Sequence, residues 1–289
     1  LDSPCPLVCM VQLPFWSPLA AAIQGRTGCR VVYDCMDDHS GFSTNSPSML
    51  EGERHLIERA DLTVFSSQVL QEKLGRYATR ALLIPNACDF AHFDSVPLRL
   101  DHDGEHPRIG YFGAIADWFD SDLLVEVARA RPGWRFELIG STFSADLKPF
   151  EGLPNVALLG EQPYSALPKL IADWDCCIIP FRRGPLTDAT DPVKVYEMLA
   201  AGKPVVAVPL PQLVPLGERD LIKIASTAAG LVAAVEDALG SDDLARVETR
   251  KAYAAQNTWG ARFTPLDAAI RALWPLASVI VTTFHNEAL

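Results

Sequence analysis

The chain has no run of eighteen apolar residues, so no segment reads as a membrane-spanning helix. It has no Cys-x-x-Cys pair. Its seven cysteines are scattered and odd in number, and Cys176 and Cys177 stand side by side in an apolar stretch. This pattern reads as reduced, mostly buried thiols in a cytoplasmic protein. The chain also lacks a basic stripe: 25 Lys and Arg stand against 36 Asp and Glu, a net charge of −11. That balance argues against a nucleic-acid partner, although Arg182-Arg183 could still meet one small anion. No basic-then-apolar leader opens the chain. It starts at Leu1 rather than Met, and is read as a fragment of a longer protein.

What is present is globular: 289 residues, 49% apolar and 21% charged, enough for two domains. The pattern alternates. Strands are expected at Pro6–Trp16 (with its following loop), Cys29–Cys35, Leu62–Ser66 and Leu82–Pro85. Helices are expected at Pro18–Gln24, Ser48–Arg59 and Gln68–Tyr77. Val96–Pro107 is polar and reads as a linker. His102 and His106, with Asp101, Asp103 and Glu105, are taken as part of that solvated linker, because nothing rigid holds them as metal ligands. A second alternation follows from Arg108 to Leu273. This predicts an α/β protein with parallel sheets, and a doubly wound second domain. Ligands bind such a sheet beyond the carboxyl ends of its strands, where Gly113, Pro180 and the Arg182–Thr190 loop fall.

The richest segment runs from Asp191 to Ala207. Pro192 suits the first helical position, Asp191 or Thr190 can cap it, and Gly202 and Pro204 end it. Lys194 and Glu197 stand three apart on one face. Lys before Glu is the poorer order for helix stabilisation. A Lys at the positive end of a helix dipole is unfavourable unless an anion sits there. The segment therefore predicts a nucleoside diphosphate at a helix start, with Glu197 accepting from ribose hydroxyls.

The order of these pieces resembles a retaining nucleotide-sugar glycosyltransferase of the GT-B fold, in the broad family 4 group. Ile84-Pro85-Asn86-Ala87-Cys88-Asp89, continuing to Phe93, resembles the stretch that ends that family's first domain. Ile109-Gly110-Tyr111-Phe112-Gly113 resembles the strand and glycine loop that opens the second. Asn155 to Gly160, Leu167-Pro168 and Asp175 to Phe181 resemble its middle strands, and the Lys194/Glu197 helix its donor-site helix. The resemblance spans almost the whole chain. It implies two Rossmann-like doubly wound domains facing a cleft. Residues 1–98 would be a partial, acceptor-side domain lacking its opening strand and glycine loop. Residues 99–256 would be the donor domain, and 257–276 a helix crossing back to the first. Residues 277–289, Ala277 to Glu287 in particular, resemble the first strand of a family 2, GT-A module.

The resemblance also implies roles. Gly113 would let backbone approach the donor phosphate, Lys194 would pair with the pyrophosphate and Glu197 would hold the ribose. Arg182, and less directly Arg183, would lie near the phosphates. His39 and Asp38 would be the polar active-site residues of the first domain. The donor would be a UDP- or GDP-sugar, with no metal implied. The acceptor would be a polysaccharide or lipid-linked glycan, in the cytoplasm or at the inner membrane face, with peripheral membrane association. Two departures stand out. The family's first carboxylate falls on Ala189, so either Asp188 or Asp191 substitutes or sugar recognition differs. The usual Arg and Lys after the glycine loop are replaced by Ala114-Ile115-Ala116-Asp117-Trp118-Phe119-Asp120, where Trp118 could stack on base or sugar, or could simply pack. Two alternatives stay open: a non-catalytic nucleotide-sugar-binding fragment, and a GT-B sugar-nucleotide epimerase.

Overall fold

The computed structural model describes residues 6–42, 45–100, 106–142 and 146–274. The segment expected to open a GT-A module lies outside them, as do His102 and the acids beside it. The chain forms two compact units, Leu1–Pro85 with Gly260–Leu289, and Asn86–Trp259.

The first unit has a parallel four-stranded sheet in the order β1-β2-β3-β4: Val8–Val11, Arg30–Cys35, Leu62–Phe65 and Ala81–Leu83. Helices α1 (Ser17–Thr27), α2 (Pro47–Arg59) and α3 (Gln68–Leu74) connect the strands. Ser46 and Ser67 cap α2 and α3 through hydroxyls that accept from Met49 and Leu70 backbone N–H groups. The expected single helix Gln68–Tyr77 ends at Leu74 and tightens into a 3-10 turn at Gly75–Tyr77. The last helix, α12 (Trp259–Arg271), packs on this sheet. Leu266, Ala269, Ile270 and Leu273 meet Val32, Leu62 and Val64.

The second unit carries a parallel six-stranded sheet in the order β10-β9-β8-β5-β6-β7. Its strands are β5 (Arg108–Phe112), β6 (Arg135–Ile139), β7 (Val156–Leu158), β8 (Cys176–Ile179), β9 (Val205–Ala207) and β10 (Lys223–Ile224). All four residues of β8 are buried, as a strand covered on both faces requires. Helices α4 (Phe90–Asp94), α5 (Ser121–Ala130), α6 (Leu167–Ile171), α7 (Pro185–Asp188), α8 (Val193–Ala200), α9 (Val214–Glu218), α10 (Ala228–Gly240) and α11 (Leu244–Gln256) complete the unit. The strand order reverses between β5 and β8, which places the crevice after Phe112 and Ile179. Gly202, at φ 72°, ends α8 as the sequence indicates.

The boundary lies at Pro85, earlier than the expected residue 98. Residues 86–98 contribute Cys88, Phe93 and Val96 to the large core of the second unit, and Cys88 forms a bridge with Thr258. Burying those side chains outweighs the polar look of the stretch that follows them.

Candidate functional site

Two glycines shape the carboxyl ends of β5 and β6. Gly113 has φ +127° and Gly140 has φ +152°, values that L side chains rarely adopt. A Cβ on Gly140 would lie 1.9 Å from the Gly113 carbonyl oxygen. A Cβ on Gly113 would lie 2.7 Å from Lys194 Cε. The Gly113 N–H donates to the Ile139 carbonyl at 2.9 Å. Bare backbone therefore lines this corner, and Lys194 packs against it.

Helix α8 starts at Val193, with Pro192 as its cap and no capping side chain. This corrects the expected caps. The Thr190 hydroxyl donates to the Leu186 carbonyl at 2.8 Å. The Asp191 carboxylate is buried. It accepts from the Asn86 backbone N–H at 2.7 Å and from the Tyr196 hydroxyl at 3.1 Å. Among the described residues, no side chain caps the positive end of the helix and no acid lies in its first turn.

Lys194 stands at that end. Its ammonium lies 4.8 Å from the Phe181 ring centroid and 5.5 Å from that of Tyr111. Among the described residues it forms no ion pair. Burial lowers its pKa to about 8, against the opposing pull of Glu197. The residue keeps some surface, yet its charged end is enclosed by rings and the glycine corner. Glu197, one turn on, is buried and accepts from the Tyr164 hydroxyl at 2.9 Å. Burial raises its pKa, and the Tyr164 hydrogen bond and the Lys194 and His92 charges act the other way.

Several expected donor contacts are turned elsewhere. Arg182 donates to Asp122 at 2.9 Å, and Arg183 forks onto Asp188 and donates to the Pro209 carbonyl. Both arginines are therefore already partnered within the unit. Asp188 and Asp191, the two acids expected to stand in for the one missing at Ala189, are partnered too. Trp118 is half-buried and packs on the core, which favours packing over stacking on a ligand. We predict that Asp191→Ala costs about 2–4 kcal/mol of stability, because it strands a backbone N–H and a buried hydroxyl. Urea unfolding checks this. An unchanged midpoint with weaker nucleotide binding would restore Asp191 to the ligand.

In the first unit, Asp38 and His39 follow β2. Burial alone would raise the Asp38 pKa. Hydrogen bonds from Lys73 at 2.6 Å and from Ser40 outweigh it and hold the carboxyl below its usual range. Asp38 is thus engaged in an internal ion pair rather than poised as an acid or base. His39 is buried, and its backbone carbonyl accepts from Asn45 at 2.8 Å. Neither ring nitrogen has a hydrogen-bond partner among the described residues.

Sequence reasoning missed Gly140, Tyr164, His92 and the two rings around Lys194. Gly140 was findable: Leu138-Ile139-Gly140 repeats the strand-then-glycine pattern of Tyr111-Phe112-Gly113. Nothing in a single sequence marks Tyr164. A cavity of about 660 Å³ lies at the opposite, amino-terminal edge of the sheet, beside Arg99, Arg108 and Arg135. Those cations pair with Asp175, Asp173 and Glu137, so that cavity is not the candidate site.

Residues 106–241 match the family of group 1 glycosyl transferases. That match covers just under half of the chain. The chain is 25% identical over 257 residues to TuaH of Bacillus subtilis, a protein named as a teichuronic acid biosynthesis glycosyltransferase. The match covers 81% of this chain and 65% of TuaH, so the chain spans just under two thirds of that relative. A glycosyltransferase structure from Rickettsia africae superposes with a TM-score of 0.72 at 13% identity, covering 92% of this chain and 76% of that one. Anabaena HepE, solved with UDP-glucose, gives 0.68 at 18% identity, covering 91% and 78%. These likenesses show the fold, which is GT-B. The matched glycosyltransferase segment contains the glycine corner, Lys194 and Glu197. No helix among the described residues is long and apolar enough to cross a membrane.

Proposed function

We propose that this chain transfers a sugar from a nucleoside diphosphate sugar to a hydroxyl of a polysaccharide or lipid-linked glycan, with retained anomeric configuration. The observation that carries this is the unpaired, desolvated Lys194 ammonium, packed on a side-chain-free corner beside an uncapped helix start. That arrangement suits a diphosphate. As the bond from the anomeric carbon to the phosphate oxygen breaks, negative charge grows on the departing diphosphate. Lys194 and the α8 N–H groups would stabilise it without reorganising. The acceptor oxygen bonds the anomeric carbon and passes its proton to the departing diphosphate oxygen. Arg182 is not needed for this role. Retention is what the family resemblance implies.

UDP-glucose is the first donor to test, because HepE is solved with it. The likeness to TuaH makes an acidic cell-wall polysaccharide the first acceptor class. His39 is our assignment for a polar contact on the acceptor side. Incubation with UDP- and GDP-sugars, with and without acceptor glycans, tests the reading. We expect diphosphate release that depends on acceptor, and a product whose anomeric signal matches the donor. An epimerised nucleotide sugar would favour the epimerase. Binding without any turnover would favour a non-catalytic module.

A further inference from the structure

We propose that Tyr164 is a positioning residue of the donor site, fixing one oxygen of Glu197 so that the other faces a ribose hydroxyl. The inference rests on the donor reading above. Tyr164 opens a 3-10 turn, Tyr164–Ala166. Its hydroxyl donates to Glu197 Oε1 at 2.9 Å. The second carboxylate oxygen, Oε2, has no hydrogen-bond partner among the described residues. It is not sealed from solvent either: among the described residues, the one fully enclosed side-chain oxygen or nitrogen without a partner is Thr63 Oγ1. A buried carboxylate with one oxygen held and one oxygen open is a half-built acceptor. A hydroxyl arriving at the open oxygen would complete it.

Tyr164 is itself held. The His92 ring stacks on it at 4.7 Å between centroids, with planes 15° apart. His92 Nε2 lies 3.0 Å from the Tyr164 carbonyl oxygen, and Phe93 meets the ring edge-on at 5.6 Å. The residue is nevertheless 48% exposed, so the ring is clamped from α4 and open elsewhere. The clamp costs the hydroxyl little further entropy when it orients Glu197. The charged groups around this carboxyl are Lys194 on α8 and His92 on α4, while Asp89, at the start of α4, and Cys88 act on Tyr164.

Removing the hydroxyl has two consequences. The Glu197 carboxylate becomes free to rotate, and it loses a donor that favours its ionised form. Tyr164→Phe keeps the ring and its stacking. Calorimetric titration with UDP and 2′-deoxy-UDP, and with GDP and 2′-deoxy-GDP, tests the claim from pH 5 to pH 8. For the parent chain we expect a ribose preference of about tenfold or more. In Tyr164→Phe we expect about tenfold weaker ribonucleotide binding, a smaller ribose preference, and an acid limb of affinity moved to higher pH. In turnover the same variant should raise KM more than it lowers kcat. Unchanged affinity, ribose preference and acid limb in Tyr164→Phe would overturn the role of Tyr164 and leave the donor site standing. Failure of the parent chain to bind either diphosphate would overturn both.

Discussion

Replacing Lys194 with Met should give a protein that is more stable without ligand and transfers sugar far more slowly. The Lys194 pKa of about 8 lies below the ordinary 10.5 because burial disfavours the charged form. Between pH 8 and 10.5 the unfolded chain binds more protons than the folded one, so Lys194 makes stability rise with pH through that window. Below pH 8 the full penalty is present, on the order of 3 kcal/mol. The Phe181 and Tyr111 rings return about 0.5–1 kcal/mol each. A net cost of about 1–2 kcal/mol therefore remains at pH 7. Met keeps the apolar stem and most of the volume, so it removes the cost without opening a cavity. Turnover should fall by about 100- to 1000-fold, the usual loss for one charge-stabilising donor. Thermal unfolding and initial rates read the two effects separately. A less stable Lys194→Met protein would mean that the cation serves the fold.

Gly140→Ala should be far more damaging than its size suggests. The new Cβ would lie 1.9 Å from the Gly113 carbonyl oxygen, a backbone atom that cannot swing aside. The φ of +152° adds backbone strain of about 1–3 kcal/mol. Together we expect a loss of at least about 3 kcal/mol. Any adjustment must move the Gly113 loop, so nucleotide binding should weaken as well. Gly160→Ala is the control. It has a φ of +67° but nothing within 4 Å of an added Cβ, so only about 1 kcal/mol is expected. Urea unfolding of both variants separates collision from conformation. Equal losses would show that the glycine corner is not a close backbone contact.

The parallel sheets, the doubly wound second domain and the α8 segment were legible in the sequence. Each rests on local signals: apolar runs such as Cys176–Ile179, glycines after strands, and the stop at Gly202. The candidate residues Lys194 and Glu197 could be named from sequence because they depend on a helix start and a chemical type. The site was not legible where partners come from far along the chain. Arg182 is claimed by Asp122, 60 residues away, and Asp191 by Asn86, 105 residues away. Asp38 is likewise held by Lys73. A charged side chain near a site looks available until its partner is known, and only the fold supplies that partner. The same distance hid Tyr164, which reaches Glu197 across 33 positions. The boundary at Pro85 was misjudged for a related reason. The polar stretch after Leu98 is visible, whereas the burial of Cys88 and Phe93 requires the tertiary core.

The central claim is that Lys194 waits, desolvated and unpaired, for a diphosphate. Titration calorimetry of UDP and GDP against the parent chain and Lys194→Met, near pH 8 in two buffers of different ionisation enthalpy, tests it most directly. One diphosphate should bind the parent chain and draw in a fraction of a proton, because its charge restores the lowered ammonium pKa, while Lys194→Met should neither bind nor exchange protons. Equal binding by both proteins, or binding to the parent chain with no proton uptake, would contradict the account.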